Sequence, residues 1–150
     1  RRHTRFRNVT GVQTCALPIY HADEKALEFD RAPFGITGLE TCVPLCFDRL
    51  VHTGVLGVPK LIELLTVNPA RILGVPDGTL AEGGAADITL LAPDVTTTIK
   101  ASASRSKSKN TPFDGWSLKG AVAATIVGGR VVYTNPEVPG SAALQPPQGR

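Results

Sequence analysis

The chain changes its apolar period part-way along. Between Leu39 and Leu73 the apolar residues recur at helical spacing, whereas from Asp87 onward β-branched residues gather in short runs. Two of these runs, Ala121–Val127 and Arg130–Thr134, are separated only by Gly128-Gly129. A two-residue glycine turn between strand-like runs reads as a tight hairpin, because its backbone must adopt positive φ to match the twist of the strands it joins. The chain is therefore expected to run as a loop, then helices, then a small antiparallel sheet.

Within that order, His21–Gly38 reads as a loop closing in Ala32-Pro33-Phe34-Gly35, where proline restricts its predecessor and glycine permits close backbone approach. The recurrence of Leu39, Val43, Cys46, Phe47, Leu50 and Val51 predicts a helix over 39–56, with Pro44 in its first turn. A second helix is predicted from Pro59 to about Leu65. Asn68-Pro69 caps and opens a short third one, Pro69–Leu73, stopped by Gly74. Asp77-Gly78 and Gly83-Gly84 are turn signals, and strands are predicted over Asp87–Leu91, Thr96–Ala101, Ala121–Val127 and Arg130–Thr134. The stretch from Asn135, rich in Pro, Gly, Ala and Gln, is expected to be a disordered tail.

Composition narrows the function classes. The chain is 42% hydrophobic and 19% charged, as in a globular protein, and no apolar run approaches a membrane span. The net charge of +3 comes from Arg1, Arg2, Arg5 and Arg7; the other 12 basic residues face 13 acidic ones, leaving −1. A nucleic-acid partner would rest on that arginine cluster alone, so none is expected. The odd cysteine count (Cys15, Cys42 and Cys46) argues against a disulfide scaffold and fits a reducing, cytoplasmic compartment. Cys42 and Cys46 are four apart and are expected to face a core, with no further Cys or His spaced to complete a metal site.

Residues 1–19 read differently from the rest. They hold no helical or strand period, and Val9–Ile19, VTGVQTCALPI, resembles the conceptual translation of a common sequencing-adapter oligonucleotide. The expectation is that 1–19 are not native, that the coding sequence begins near Tyr20 or His21, and that His3 and Cys15 carry no meaning.

Three later segments carry a family resemblance. HADEKALEFDRAPFGITGLET (His21–Thr41) resembles the loop that follows the eighth barrel strand of dihydroorotases. TVNPARILGVPDGTLAEGGAADITL (Thr66–Leu90) resembles a pattern shared across amidohydrolases: Asn-Pro-Ala, Leu-Gly, Gly-x-Leu-x-x-Gly and Ala-Asp. SKSKNTPFDGWSLKG (Ser106–Gly120), followed by TIVGGRVVY, points with the first segment to the dihydroorotases. The resemblance runs from His21 to about Tyr133. On residue chemistry alone Asp87 is expected to hydrogen-bond locally at the start of its strand. Asn110-Thr111-Pro112-Phe113 is expected to form a structured loop of unassigned chemistry.

The resemblance implies an α/β fold. It would be the C-terminal part of a (β/α)8 amidohydrolase barrel with the C-terminal strands of a flanking small β-sandwich. It divides the chain into a non-native segment 1–19, the last βα loop and terminal helices 20–75, a sandwich portion 76–134 and a tail 135–150. It implies a cyclic amide hydrolase of pyrimidine biosynthesis, interconverting carbamoyl-aspartate and dihydroorotate with the help of zinc. Read from the residues alone, Pro33-Phe34-Gly35 is a turn or a place where backbone meets a flat ring; the resemblance implies that Phe34 and Gly35 contact the substrate through the main chain. The family's His-x-His zinc ligands have no counterpart among His3, His21 and His52, and its proton-shuttling aspartate would fall within 1–19. Its substrate-contacting histidine aligns with Tyr20. The 150-residue chain is accordingly expected to be inactive alone, to expose apolar surface and open strand edges, and to be marginally stable. A homodimer, or association with aspartate transcarbamoylase, fits the family. Alternatives are a non-catalytic dihydroorotase-like subunit of that transcarbamoylase, a hydantoinase, dihydropyrimidinase or allantoinase, and a small independent β-rich interaction module.

Overall fold

The computed structural model describes residues 26–28, 31, 35–75 and 80–144. The expectations for residues 1–19, Tyr20, His21, Phe34, Asp77-Gly78 and 145–150 lie outside the described residues. Among those described, residues up to Cys42 together with Thr98–Ser117 form one compact unit; Val43–Thr97 and the residues from Leu118 onward form a second.

The helices of the second unit follow the placement of proline and glycine. Helix α1 runs Cys42–Cys46 and continues as a π-helical turn over Phe47–Val51, where the His52 N–H reaches back five residues to the Phe47 carbonyl at 2.9 Å. The predicted start at Leu39 is wrong. A helix beginning there would put Pro44 beyond the first turn, where its missing N–H deprives a carbonyl of its partner. Beginning at Cys42 leaves Pro44 among the positions whose N–H has no intrahelical acceptor. Leu39 therefore falls outside the helix and is 72% exposed, while Phe47 is fully buried.

Helix α2, Val58–Leu65, opens on Gly57 with Pro59 in its first turn, and buries Leu61. It ends at Thr66, whose N–H and hydroxyl both bond the Ile62 carbonyl at 2.9 and 2.7 Å. Helix α3, Val67–Leu73, follows at once and packs against α2. Thr66 precedes its first turn with its hydroxyl already engaged, so α3 has no side-chain cap. Asn68, expected as that cap, is inside the helix instead. Gly74 stops α3 at φ 66, with Gly74 N–H on the Arg71 carbonyl and Val75 N–H on that of Ala70, a Schellman closure.

Three strands form one sheet in the order β1-β2-β3: Ile88–Thr98, Ser117–Val127 and Arg130–Thr134. The hairpin expected at Gly128-Gly129 is present, with φ of 54° and 75°. β2 and β3 pair antiparallel, Val127 opposite Arg130 and Ile126 opposite Val131. A bulge then shifts Thr125 opposite Tyr133. Two strands had been expected within 87–101, but β1 is continuous through Pro93. Because β1 is an edge strand, a residue lacking an N–H is tolerated there. The Pro93 carbonyl receives the His52 ring Nε2 at 2.9 Å, so the only described histidine serves as a tie from the helical segment to β1.

Asp87 also acts across the sheet. Its Oδ1 accepts the Gly128 N–H at 2.7 Å, and the neighbouring Ala86 carbonyl accepts that of Gly129 at 3.0 Å. The expected local bond is replaced by one spanning 41 residues that holds the hairpin turn to the start of β1.

The core of this unit gathers Phe47, Leu61, Ala70, Leu118, Ala121, Ala124 and Val138. Gly120, at φ 132, lies directly on Phe47: a Cβ there would come within 2.5 Å of the Phe47 Cβ. Residues 135–144, expected within the disordered tail, are ordered. The Asn135 N–H bonds the Ala123 carbonyl at 2.9 Å and its side chain accepts the Glu137 N–H at 3.0 Å; its own carbonyl accepts the buried Ser141 hydroxyl. A 3-10 turn over Ser141–Leu144 packs on β3. Apolar surface remains exposed at Leu64, Ile72, Leu73 and Val75.

Candidate functional site

The first unit contains the described half of the Phe34-Gly35 pair and the loop that sequence reasoning left without chemistry. Gly35 has φ 104, a left-handed backbone that side-chain-bearing residues rarely adopt. Its carbonyl accepts the Asn110 side-chain amide Nδ2 at 2.8 Å. Two residues on, the Thr37 N–H and hydroxyl both donate to the Asn110 main-chain carbonyl, at 2.8 and 3.1 Å. Asn110 thus holds residues 35–37 through its side-chain donor and its main-chain acceptor together.

Asn110 is itself placed by a compact loop. The Phe113 N–H reaches the Thr111 hydroxyl at 3.3 Å, and the Trp116 N–H reaches the Phe113 carbonyl at 3.0 Å. The Phe113 and Trp116 rings meet edge to face at 5.3 Å and 75°. Ile99 closes the base, donating to the Trp116 carbonyl at 2.8 Å and accepting the Gly115 N–H at 2.9 Å. Asp114 Oδ1 accepts the Ala101 N–H at 2.7 Å. The structured Asn110–Phe113 loop predicted from sequence is therefore present.

A second tie lies at Glu40. Its carboxylate accepts the Ser104 hydroxyl at 2.6 Å, the Arg105 N–H at 3.1 Å and the Ser106 N–H at 3.2 Å. Lys109 reaches the Ser104 carbonyl beside it. Partial burial alone would raise the Glu40 pKa, but the bonds from Ser104, Arg105 and Ser106 and the Lys109 charge hold it below the usual carboxylate value. Segment 35–40 is thus laced to 104–110 at both ends. Neither Glu40 nor Ser104 stood out in the sequence: the bond between them spans 64 residues, and no local pattern marks a loop glutamate as a structural ligand.

Residues 51–133 match the model of the amidohydrolase family. The chain belongs to the amidohydrolase family. Among similar amidohydrolases, the dihydroorotase of Geobacter metallireducens is 54% identical over 114 residues, covering 76% of this chain and 27% of the relative. That of Pelotomaculum thermopropionicum is 51% identical over 110 residues, covering 73% and 26%. The chain thus spans about a quarter of the length of these curated relatives. Among solved structures, the L-hydantoinase (dihydropyrimidinase) of Arthrobacter aurescens superposes with a TM-score of 0.66 at 38% identity, over 71% of this chain and 24% of that one. The dihydropyrimidinase of Brevibacillus agri superposes at 0.70 and 26% identity, over 85% and 29%. These likenesses support a TIM-barrel-type amidohydrolase fold, to which the helices and three-stranded sheet described here correspond as a small α/β part.

Amidohydrolases of this kind are generally metal-dependent. Among the described residues no group of three or more His, Cys, Asp or Glu side chains could hold a metal ion. The His52 ring is bonded to Pro93, and Cys42 and Cys46 are half-buried thiols at the two ends of α1. The described residues therefore do not fit a metal centre. No described helix is long and apolar enough to cross a membrane.

Proposed function

We propose that the protein is a dihydroorotase, opening and closing the cyclic amide that relates dihydroorotate to carbamoyl-aspartate in pyrimidine biosynthesis. The observation that carries this reading is the sequence match: 54% identity with a dihydroorotase, against 38% with the L-hydantoinase that shares the fold. The tie between Gly35 and Asn110 adds to it, since it joins the two segments whose sequences point to dihydroorotase over its relatives.

In this reading Phe34 and Gly35 meet the substrate through the main chain. At Gly35 no side chain stands between the backbone and a flat ring, and main-chain amide groups match the alternating donors and acceptors of a ring that is itself a cyclic amide. The zinc implied by the family would take its ligands, like the proton-shuttling aspartate, from outside the described residues. Residues 20–75 would supply the last βα loop and terminal helices of the barrel. Residues 76–134 would supply strands of a flanking β-sandwich, and residues 1–19 would be foreign to the fold. A cytoplasmic enzyme acting as a homodimer, or docked on aspartate transcarbamoylase, fits the same reading. A non-catalytic subunit of the transcarbamoylase is the alternative.

The test is to purify the complete gene product carrying this sequence and assay ring opening of dihydroorotate, hydantoin, dihydrouracil and allantoin side by side. Turnover of dihydroorotate above the others is expected. Preference for hydantoin or dihydrouracil would overturn the assignment, and loss of all turnover with retained transcarbamoylase binding would favour the non-catalytic subunit. The 150-residue chain by itself is expected to show no turnover.

A further inference from the structure

We infer that Asn110 is a positioning residue for substrate binding: its side-chain amide fixes the orientation of the Gly35 peptide that meets the ring. The inference rests on the proposal that Gly35 contacts substrate. Glycine at φ 104 has no Cβ to restrict it, so nothing in residue 35 itself determines which way its carbonyl points. The structure supplies that constraint from 75 residues away, through Asn110 Nδ2 at 2.8 Å from the Gly35 oxygen. The identity of the atom is chemically determined, because a carbonyl only accepts and the amide nitrogen is the only donor on the Asn110 side chain.

The rest of the arrangement shows that the bond is directed. Thr37 grips the Asn110 carbonyl with two donors, at 2.8 and 3.1 Å, so residues 35 and 37 are fixed to one residue and the peptides between them cannot turn independently. Glu40 anchors the far end on Ser104, Arg105 and Ser106. The Asn110 side chain carries a bond that ends on the residue proposed to meet the ring. Its contribution should appear in substrate affinity more than in turnover once substrate is bound.

The experiment uses the complete gene product, with dihydroorotate as the probe, and compares wild type with Asn110→Asp and Asn110→Ala. Asp is nearly isosteric but cannot donate, and it sets a carboxylate against the Gly35 carbonyl; Ala removes the donor and adds no charge. KM for dihydroorotate is expected to rise about tenfold or more in both, with kcat within about threefold of wild type. A merely structural role would lower the active fraction, and so apparent kcat, while leaving KM unchanged. If Asn110→Asp fails to fold, Asn110→Ala decides alone. Unchanged KM in an active enzyme overturns the inference and leaves the dihydroorotase reading standing. A wild-type protein that does not turn over dihydroorotate overturns that reading and this inference with it.

Discussion

Substituting Gly120 by alanine tests the packing of the helical segment on the sheet. The added methyl carbon would lie 2.5 Å from the Phe47 Cβ, 3.0 Å from its Cγ and 3.3 Å from its Cδ2. Carbon atoms in contact sit at roughly 3.5–4.0 Å, so β2 and the segment carrying Phe47 must separate by about 1 Å. The first contact is with a Cβ, so rotating the ring does not relieve it. Overpacking of this kind costs about 1–3 kcal/mol, and forcing a non-glycine residue to φ 132 costs about 1–3 kcal/mol more. The total expected is about 2–6 kcal/mol. Gly54→Ala separates the two contributions, because Gly54 has φ 76 but nothing within 4 Å of the added carbon. Urea unfolding monitored by Trp116 fluorescence, with the m-value checked for constancy, should place Gly120→Ala at least about 1 kcal/mol below Gly54→Ala. Equal destabilisation by the two would show that the backbone shifts freely at Gly120, and the account of a wall at Phe47 would fail.

Other perturbations follow from particular bonds. Phe47→Ala should cost about 3–5 kcal/mol, because the side chain is fully buried; a loss below about 1 kcal/mol in the same titration would contradict its place in the core. Asp87→Ala removes the acceptor of the Gly128 N–H and should speed amide exchange at Gly128 selectively, destabilising by about 1–2 kcal/mol; unchanged exchange there would argue against the tie. The Glu40 pKa is lowered in the fold, so its bonds stabilise above the ordinary glutamate value and are lost as pH falls through the folded value, which lies below the ordinary one. The Arg105 and Ser106 amide resonances should report a midpoint in that acid range that vanishes in Glu40→Gln; a midpoint at or above the ordinary value would count against the lacing. Limited proteolysis should spare 135–144, and Ser141→Ala should expose it at a cost of about 1 kcal/mol; ready cleavage of the wild type there would restore the tail reading.

Where position was decided by residue type over a few neighbours, the sequence was readable. Gly74 stops α3 and Gly128-Gly129 turns the hairpin because only glycine takes positive φ without strain. Pro59 stands in the first turn of α2 because its missing N–H costs little there. The errors arose where a distant partner decided. A strand continues through Pro93 because it lies at the edge of the sheet, and Asn135 and Ser141 are ordered by β2 and by one another. The candidate site divides in the same way. Gly35 was marked by its motif, and the Asn110–Phe113 loop by its turn residues, but that Asn110 binds Gly35 is a fact of the folded chain. Glu40 carried no mark at all.

The lacing of 35–40 to 104–110 bears on when this region takes shape. Neither segment has a strand or an α-helix of its own, and the Asn110–Gly35 bond closes a loop of 75 residues. Closure of that length carries an entropy penalty of about 4 kcal/mol, beyond a constant, before the first bond forms. The β2–β3 hairpin closes over two residues and needs no such encounter, so it can assemble in roughly 1–10 μs while the laced loops are still apart. A region that orders late through few ties is also the first to open in the native state. A small ring seated against Gly35 would then act as a clasp, and its signature in hydrogen exchange would be protection concentrated at Thr37, Arg105 and Ser106, with the hairpin unchanged.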